Sequence, residues 1–246
     1  MPRFFVEEEN IKEDIITLYG DDAGHISRVL RSKPGDLMTV CDGTGKDYEA
    51  EIFEISENTV RLRIKRTSFT DSEPSVKITL FQGLPKGDKM EFIIQKCVEL
   101  GVYSIIPVYT ERCIVRFDKN KEKKKTERWQ KVAESAAKQS GRGIIPKIEE
   151  IMSFSDAVQA SAGLDMAIIP YELEQERGLR SFLDEYRKSN ENTLGIFIGP
   201  EGGFSLNEIE KAVNAHLFPV TLGKRILRTE TAGMTAIANT LFYLDM

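Results

Sequence analysis

The chain has 246 residues, 41% of them hydrophobic and 30% charged, with a formal net charge of -5. This is the composition of a soluble globular protein able to bury a sizeable core, and it excludes disordered and fibrous classes. The mildly acidic balance argues against nonspecific, whole-surface binding of nucleic acid and leaves room only for a local basic face. No apolar run reaches the length that spans a bilayer, and Met1-Pro2-Arg3-Phe4-Phe5-Val6-Glu7-Glu8-Glu9 turns acidic before any signal-peptide core. A cytoplasmic protein without membrane contact is expected. Cys41, Cys97 and Cys113 are odd in number, far apart and set among apolar neighbours, which fits reduced core thiols. Only His25 and His216 represent histidine, and neither has a second ligand at metal-site spacing, so no metal is expected.

The first stretch reads as strands with one short helix. Asp21 to Arg31 has a polar start and apolar Ile26, Val29 and Leu30 at helical spacing, ended by Pro34-Gly35. Strand-like runs follow at Leu37–Cys41, Tyr48–Ile55 and Val60–Ile64, separated by Asp42-Gly43 and Glu57-Asn58, which predicts a small antiparallel barrel or meander. From Arg66 to Ser75 periodicity vanishes and Ser, Thr, Asp and Pro accumulate, as in a linker. The expected domains are therefore 1–72 and 73–246.

Beyond the boundary, strands and helices alternate. Val76–Phe81 is a strand, Lys86–Leu100 a helix with Met90, Ile93, Ile94, Cys97 and Val98 on one face, and Gly101 its stop. Strand Ser104–Val108 precedes a helix from Lys123 to Gln139 carrying Trp129, Val132, Ala133, Ala136 and Ala137 on one face. Strands at Ile144–Ile148, Met166–Ile169, Leu194–Ile198 and Phe218–Leu222 follow, with helices between them and a last helix over Glu230–Leu244. Such alternation predicts an α/β domain with a mostly parallel sheet, helices on both faces, and a ligand site outside the carboxyl ends of the strands.

Two loops lie at such ends. Ile198-Gly199-Pro200-Glu201-Gly202-Gly203-Phe204-Ser205 follows one buried strand, and Leu222-Gly223-Lys224-Arg225-Ile226-Leu227-Arg228 follows another. Glycine there lets backbone N–H groups approach a ligand, although ordinary strand-to-helix turns also use it. Ser205-Leu206-Asn207-Glu208 has the form of a capping box. The first loop is no P-loop, lacking Gly-Lys-Ser/Thr, and it does not have the Rossmann spacing, so a neutral or zwitterionic adenosine-type ligand fits better than a nucleoside triphosphate. Upstream, Lys119, Lys121, Lys123, Lys124, Lys125, Arg128 and Lys131 outnumber Glu122 and Glu127. That run reads either as a solvated helix face or as a surface for phosphate backbone.

The segments IGPEGGFS and LGKRILRTETA, with KQSGRGIIP at Lys138–Pro146 and HISRVLR at His25–Arg31, closely resemble the RsmE family, 16S ribosomal RNA uridine N3-methyltransferases of the SPOUT superfamily. The resemblance extends over essentially the whole chain, including the MPRFF start. It implies an N-terminal PUA-like β-barrel, a C-terminal α/β domain with a deep trefoil knot, a homodimer, and S-adenosyl-L-methionine as cofactor. The implied substrate is one uridine in the decoding region of 16S rRNA, free or in the assembled small ribosomal subunit. A noncatalytic RNA-binding module of ribosome assembly is the alternative.

Under that resemblance, Ile198, Gly199, Pro200, Glu201, Gly202, Leu222, Gly223, Ile226 and Leu227 are expected to hold the cofactor, with Ile198 and Ile226 as apolar walls. Uracil N3 holds its proton at neutral pH, so the reaction needs deprotonation and stabilisation of an anion. Arg228 is expected at the reacting base and Arg225 beside it, each able to neutralise a uracil oxygen or hold a phosphate; pairing with Glu230 is the structural reading. Glu201 and Glu230 stand either as proton acceptors or as helix caps. Arg28, Arg31, Lys138 and Arg142 are the residues expected on RNA.

Overall fold

The computed structural model describes residues 3–189 and 191–244. Met1 and Pro2 of the MPRFF motif lie outside the described residues. The chain divides into two units, one formed by 1–73 with 137–145 and the other by 74–136 with 146–246.

In the first unit, strands β1 (Arg3–Phe5), β2 (Ile11–Lys12), β3 (Ile15–Tyr19), β4 (Leu37–Cys41), β5 (Lys46–Ile55) and β6 (Thr59–Phe69) form one sheet in the order β1-β4-β5-β6-β3-β2. All neighbours are antiparallel except β1 and β4, which run parallel. Alternate residues such as Ile16 and Leu18, Val40, Ala50 and Ile52, and Val60 and Leu62 turn inward onto one core with Ile26. The predicted antiparallel sheet is present in this unit, with the parallel β1 added at its edge. The predicted linker is shorter than the sequence suggests: Arg66–Phe69 continue β6 and pair with Lys46–Glu49. Both of their faces are solvated, so no hydrophobic alternation marks them as strand.

The predicted helix over Asp21–Arg31 is helix α1 (Gly20–Gly24) followed by a π-turn over His25–Val29. It ends at Arg31, which adopts φ 53°, before the Pro34-Gly35 pair is reached. Segment 137–145 belongs to this unit through paired backbone and two ion pairs, Arg142–Glu73 and Lys138–Asp22. Thr44 bridges Ile144, and Cys41 Sγ donates to the Gly143 carbonyl. Glu73 accepts from Arg142 and from the N–H groups of Gly143 and Ile144, at 2.9 and 3.1 Å for the last two.

The second unit contains β7 (Lys77–Gly83), α2 (Lys89–Glu99), β8 (Ser104–Tyr109), most of α3 (Lys119–Ser140), β9 (Lys147–Ile148), β10 (Met152–Ser153) and α4 (Phe154–Ser161). It continues with β11 (Met166–Pro170), α5 (Leu179–Ser189), β12 (Thr193–Ile198), α6 (Leu206–Asn214), β13 (Phe218–Val220) and α7 (Thr229–Leu244). The strands form one parallel sheet ordered β10-β8-β7-β12-β11-β13, with β9 also on β8. Helices α2, α5 and α7 pack together on one face, and α4 and α6 on the other. Consecutive residues of one strand therefore serve different layers. Phe81 and Phe197 stack at 4.2 Å beneath α4, while Leu80, Gln82 and Ile198 face Gly233 of α7. This two-sided burial explains why β7 and β12 read as unbroken apolar runs.

Met90, Ile93, Ile94, Cys97 and Val98 form the buried face of α2 as expected, and Gly101, at φ 105°, stops the helix. The expected strand over Ile144–Ile148 is reduced to β9, because Gly143–Ile145 pair with the first unit. The Arg142–Glu73 pair has side chains only 4% and 13% exposed. Removing one partner strands a buried charge. Glu73→Ala is expected to lower unfolding free energy by about 3 kcal/mol or more, measured by urea denaturation; a loss below about 1 kcal/mol would show that the pair is not structural.

Candidate active site

The loops after β7, β11, β12 and β13 leave from the carboxyl ends of their strands, and three of them enclose one cavity of about 910 Å³. One wall is Ile198, Gly199, Pro200, Glu201, Gly203 and Phe204 after β12. A second is Thr221 to Thr229 after β13, and a third is Pro170, Tyr171, Glu172, Glu174 and Gln175 after β11.

Glycine sets this geometry at two points. A Cβ on Gly83 would sit 2.8 Å from the backbone nitrogen and Cδ of Pro200, so the β12 loop lies against the end of β7 only because no side chain intervenes. Gly223 turns the β13 loop at φ 116°, a conformation that other residues rarely adopt. The β12 loop then closes with a Gly203 N–H to Pro200 carbonyl bond of 2.9 Å and enters α6 through the predicted Ser205–Glu208 capping box.

A buried polar bridge joins the loops. Gln82, which is 0% exposed, donates through Nε2 to the Gly83 carbonyl and to Thr229 Oγ1, both at 2.9 Å. Thr229 Oγ1 donates in turn to the Gly199 carbonyl at 2.6 Å. The start of α7, and with it Arg228, is thereby tied to the β12 loop.

The electrostatics of the rim centre on Lys89. Its Nζ lies 3.0 Å from Glu201 and 3.5 Å from Glu230, the second a charge contact rather than a well-formed hydrogen bond. Burial pushes the Glu201 carboxyl up, but hydrogen bonds from Lys89 and from backbone N–H groups, that of Lys86 among them, outweigh it and hold the group below its usual range. Glu201 therefore stays charged at neutral pH and is unsuited to accept a proton. Glu174 is likewise held low by the N–H groups of Arg177 and Glu176.

Ile198, Gly199, Pro200, Glu201, Leu222, Gly223, Ile226 and Leu227 all line the cavity. Gly202 does not: its carbonyl accepts from Arg112 at 2.9 Å, and its Cα turns toward the Arg112 side chain. Ile226 lies at the rim, 85% exposed, rather than forming a covered apolar wall. Arg225 and Arg228 line the cavity, are exposed, and form no ion pair among the described residues. The expected pairing of an arginine with Glu230 is absent there, since Glu230 meets Lys89 and stands outside the cavity lining.

Of the residues expected on RNA, Arg28 and Arg31 are exposed on the first unit, and Lys138 donates to both carboxylate oxygens of Asp22 at 3.1 and 3.0 Å. Arg142 needs correcting. Its guanidinium is buried against Glu73 and serves the fold of its unit instead of a solvent-facing contact. A basic residue in a glycine-flanked motif looks the same in sequence whether its partner is a phosphate or a buried carboxylate.

Sequence reasoning missed Gln82, Thr229 and the Tyr171–Gln175 wall. The last was recoverable, since the same strand-end rule that marked the β12 and β13 loops applies to the end of β11. Gln82 carried a fainter signal, as the polar residue closing an apolar strand just before a glycine.

The RNA methyltransferase domain family matches residues 72–241, and the RNA methyltransferase PUA domain family matches residues 18–65. Ribosomal RNA small subunit methyltransferase E of Bacillus subtilis is 35% identical over 243 residues, covering 97% of this chain and 95% of its own. A crystal structure of ribosomal RNA small subunit methyltransferase E from Neisseria gonorrhoeae bound to S-adenosyl methionine superposes with a TM-score of 0.84 at 35% identity, covering 97% of this chain and 96% of that one. A Legionella pneumophila methyltransferase in complex with the same cofactor gives 0.81 at 32% identity, over 97% and 96% of the two chains. By the match over 72–241 and the identity sustained across nearly its whole length, this chain carries an RNA methyltransferase domain and belongs to the ribosomal RNA small subunit methyltransferase E family.

Proposed function

We propose that the protein transfers a methyl group from S-adenosyl-L-methionine to N3 of one uridine in the decoding region of 16S rRNA. The observation that carries this reading is the cavity closed by three strand-end loops, with Arg225 and Arg228 unpaired at its rim among the described residues. The residues present fit the cofactor. Ile198, Leu222, Leu227 and Phe204 offer apolar contact for an adenine ring, and Glu172 and the low-lying Glu174 offer negative charge toward a cationic ligand. Among the described residues, the backbone N–H groups from Lys224 to Arg228 have no acceptor in the chain, so they remain donors for a ring edge or a carboxylate.

When bound, S-adenosylmethionine supplies an electrophilic methyl group. The chain's own task is to bind the uracil, lose its N3 proton and hold the anion. Arg228 does the last, its permanent guanidinium facing a uracil oxygen, and Arg225 holds a neighbouring oxygen or phosphate. The Gln82–Thr229–Gly199 bridge keeps Arg228 in register with the cofactor loop. Glu230 secures Lys89 at the first turn of α7, and Glu201 neutralises the same ammonium, so both carboxylates work on position. Exposed Arg28 and Arg31 on the PUA-like unit receive the RNA backbone, and Lys138 flanks them through Asp22.

The same proposal includes the trefoil knot, the homodimer, a cytoplasmic site of action, and 16S rRNA or the assembled small subunit as substrate. The exposed Phe242 on α7, with Ala238 and Met234 one and two turns before it, is an apolar strip of the kind a second copy would cover. No helix among the described residues is long and apolar enough to cross a membrane.

Two substitutions separate the parts. Arg228→Ala is expected to cut methyl transfer to unmodified small subunits about a hundredfold or more while cofactor affinity by calorimetry stays within about threefold; unchanged turnover would reassign the residue. Gly83→Ala forces a Cβ against the Pro200 backbone and is expected to weaken cofactor binding about tenfold without loss of the folded state, and wild-type affinity would show that the loop's position does not set the pocket.

A further inference from the structure

A second cavity in the same unit, about 370 Å³, opens where β8 ends and where α4 and α6 begin. The connection whose Gly199–Phe204 part walls the larger cavity runs on into α6, and Asn207, Glu208 and Lys211 of that helix line the smaller one. Nothing in the reaction described above uses it.

Its chemistry is that of an oxyanion site. Asn207 lines the cavity, and its first-turn N–H has no acceptor among the described residues and stands at the positive end of α6. Thr110 lines the cavity, is 1% exposed, and has a buried hydroxyl with no hydrogen-bond partner among those residues. A buried hydroxyl left unpaired weakens the free protein, and a ligand that accepts from it removes the defect. Arg116 is oriented in advance: Nη2 donates to the Thr110 carbonyl at 3.0 Å, and the guanidinium lies 4.8 Å from the Tyr109 ring centroid, which leaves further N–H donors available. Lys211 is exposed and makes no ion pair among the described residues.

Glu111 and Glu208 line the cavity too, Glu122 accepts from the hydroxyl of the lining Tyr109 at 2.9 Å, and Arg116 and Lys211 offset the two lining charges. Both oxygens of Glu208 are occupied, by the N–H groups of Glu111 at 2.7 Å and Ser205 at 2.9 Å. Asp156 accepts from the Ser153 hydroxyl at 2.7 Å. Glu111 is exposed, where solvent screens it.

We propose that this cavity is a second, phosphate-binding subsite of the enzyme, taking a backbone phosphodiester of the RNA whose target base enters the larger cavity. The assignment rests on the RNA-methylating reading above. Arg116 and Lys211 supply charge, the Thr110 hydroxyl and the Asn207 N–H supply fixed donors, and together they set which stretch of backbone lies beside the reacting nucleotide.

The test is RNA binding by the full-length protein across a series of salt concentrations, using a single-stranded fragment bearing the target uridine, with cofactor affinity measured in parallel. For Lys211→Ala, affinity for the fragment is expected to fall about tenfold and the slope of log K against log salt to lessen by about 0.7, with cofactor affinity unchanged. Thr110→Val is expected to keep or raise the melting temperature while weakening RNA binding severalfold, an outcome that a purely structural hydroxyl would not produce. Wild-type affinity and slope in Lys211→Ala, while the wild-type protein binds RNA with a steep salt dependence, would overturn the subsite alone. A wild-type protein that neither binds the fragment nor methylates small subunits would overturn the functional reading and the subsite with it.

Discussion

The close approach of the β12 loop to the end of β7 is the contact on which the site depends. Pro200 can rest against Gly83 because glycine leaves the space, and Gln82 immediately before it reaches through the layer to Thr229. Since Thr229 also donates to the Gly199 carbonyl, a strand end, a loop and a helix start share one buried chain of hydrogen bonds. Inside a low-dielectric layer such a chain is worth keeping only when it is nearly complete, so a displacement of any member is felt by the others. Arg228, one residue before Thr229, inherits its position from this chain.

The parallel sheet makes that arrangement available. With β7, β12, β11 and β13 adjacent and all pointing one way, their following loops emerge side by side, and those after β11, β12 and β13 each supply one wall. The two helical layers then divide the work. Phe81, Phe197, Phe154 and Phe204 pack the α4 and α6 face, while the opposite face carries α7 and brings its amino end to the cavity. Charges at the rim are disposed in the same economical way: Lys89 is bracketed by Glu201 and Glu230, which leaves both loop arginines without internal partners among the described residues and able to meet an anionic ligand.

The first unit uses charge differently. Arg142 and Glu73 are buried together, and their bond network holds the returning segment 137–145 against the sheet. Lys138 and Asp22 add a half-buried pair in the same region. The cost of burying a charge is offset only by complete pairing, so Arg142 is committed to structure, while Arg28 and Arg31, with exposed side chains, are not.

Much of this was legible in sequence because it is local. Apolar runs of strand length, helical faces such as Met90 to Val98, the capping box at Ser205 and the glycines at strand ends each follow from the chemistry of a few consecutive residues, and together they specified an α/β unit with two facing loops. The family resemblance, carried by IGPEGGFS and LGKRILRTETA, added the kind of reaction. What tertiary structure alone decided were matters of partnership: that Arg142 meets Glu73, that Glu230 meets Lys89 rather than an arginine, that Gly202 turns to Arg112 and away from the cavity, and that Gln82 belongs to the site. Each of these depends on residues brought together by strand order from distant points in the chain. A residue's type limits what it can bind, but only the fold determines which group is within reach.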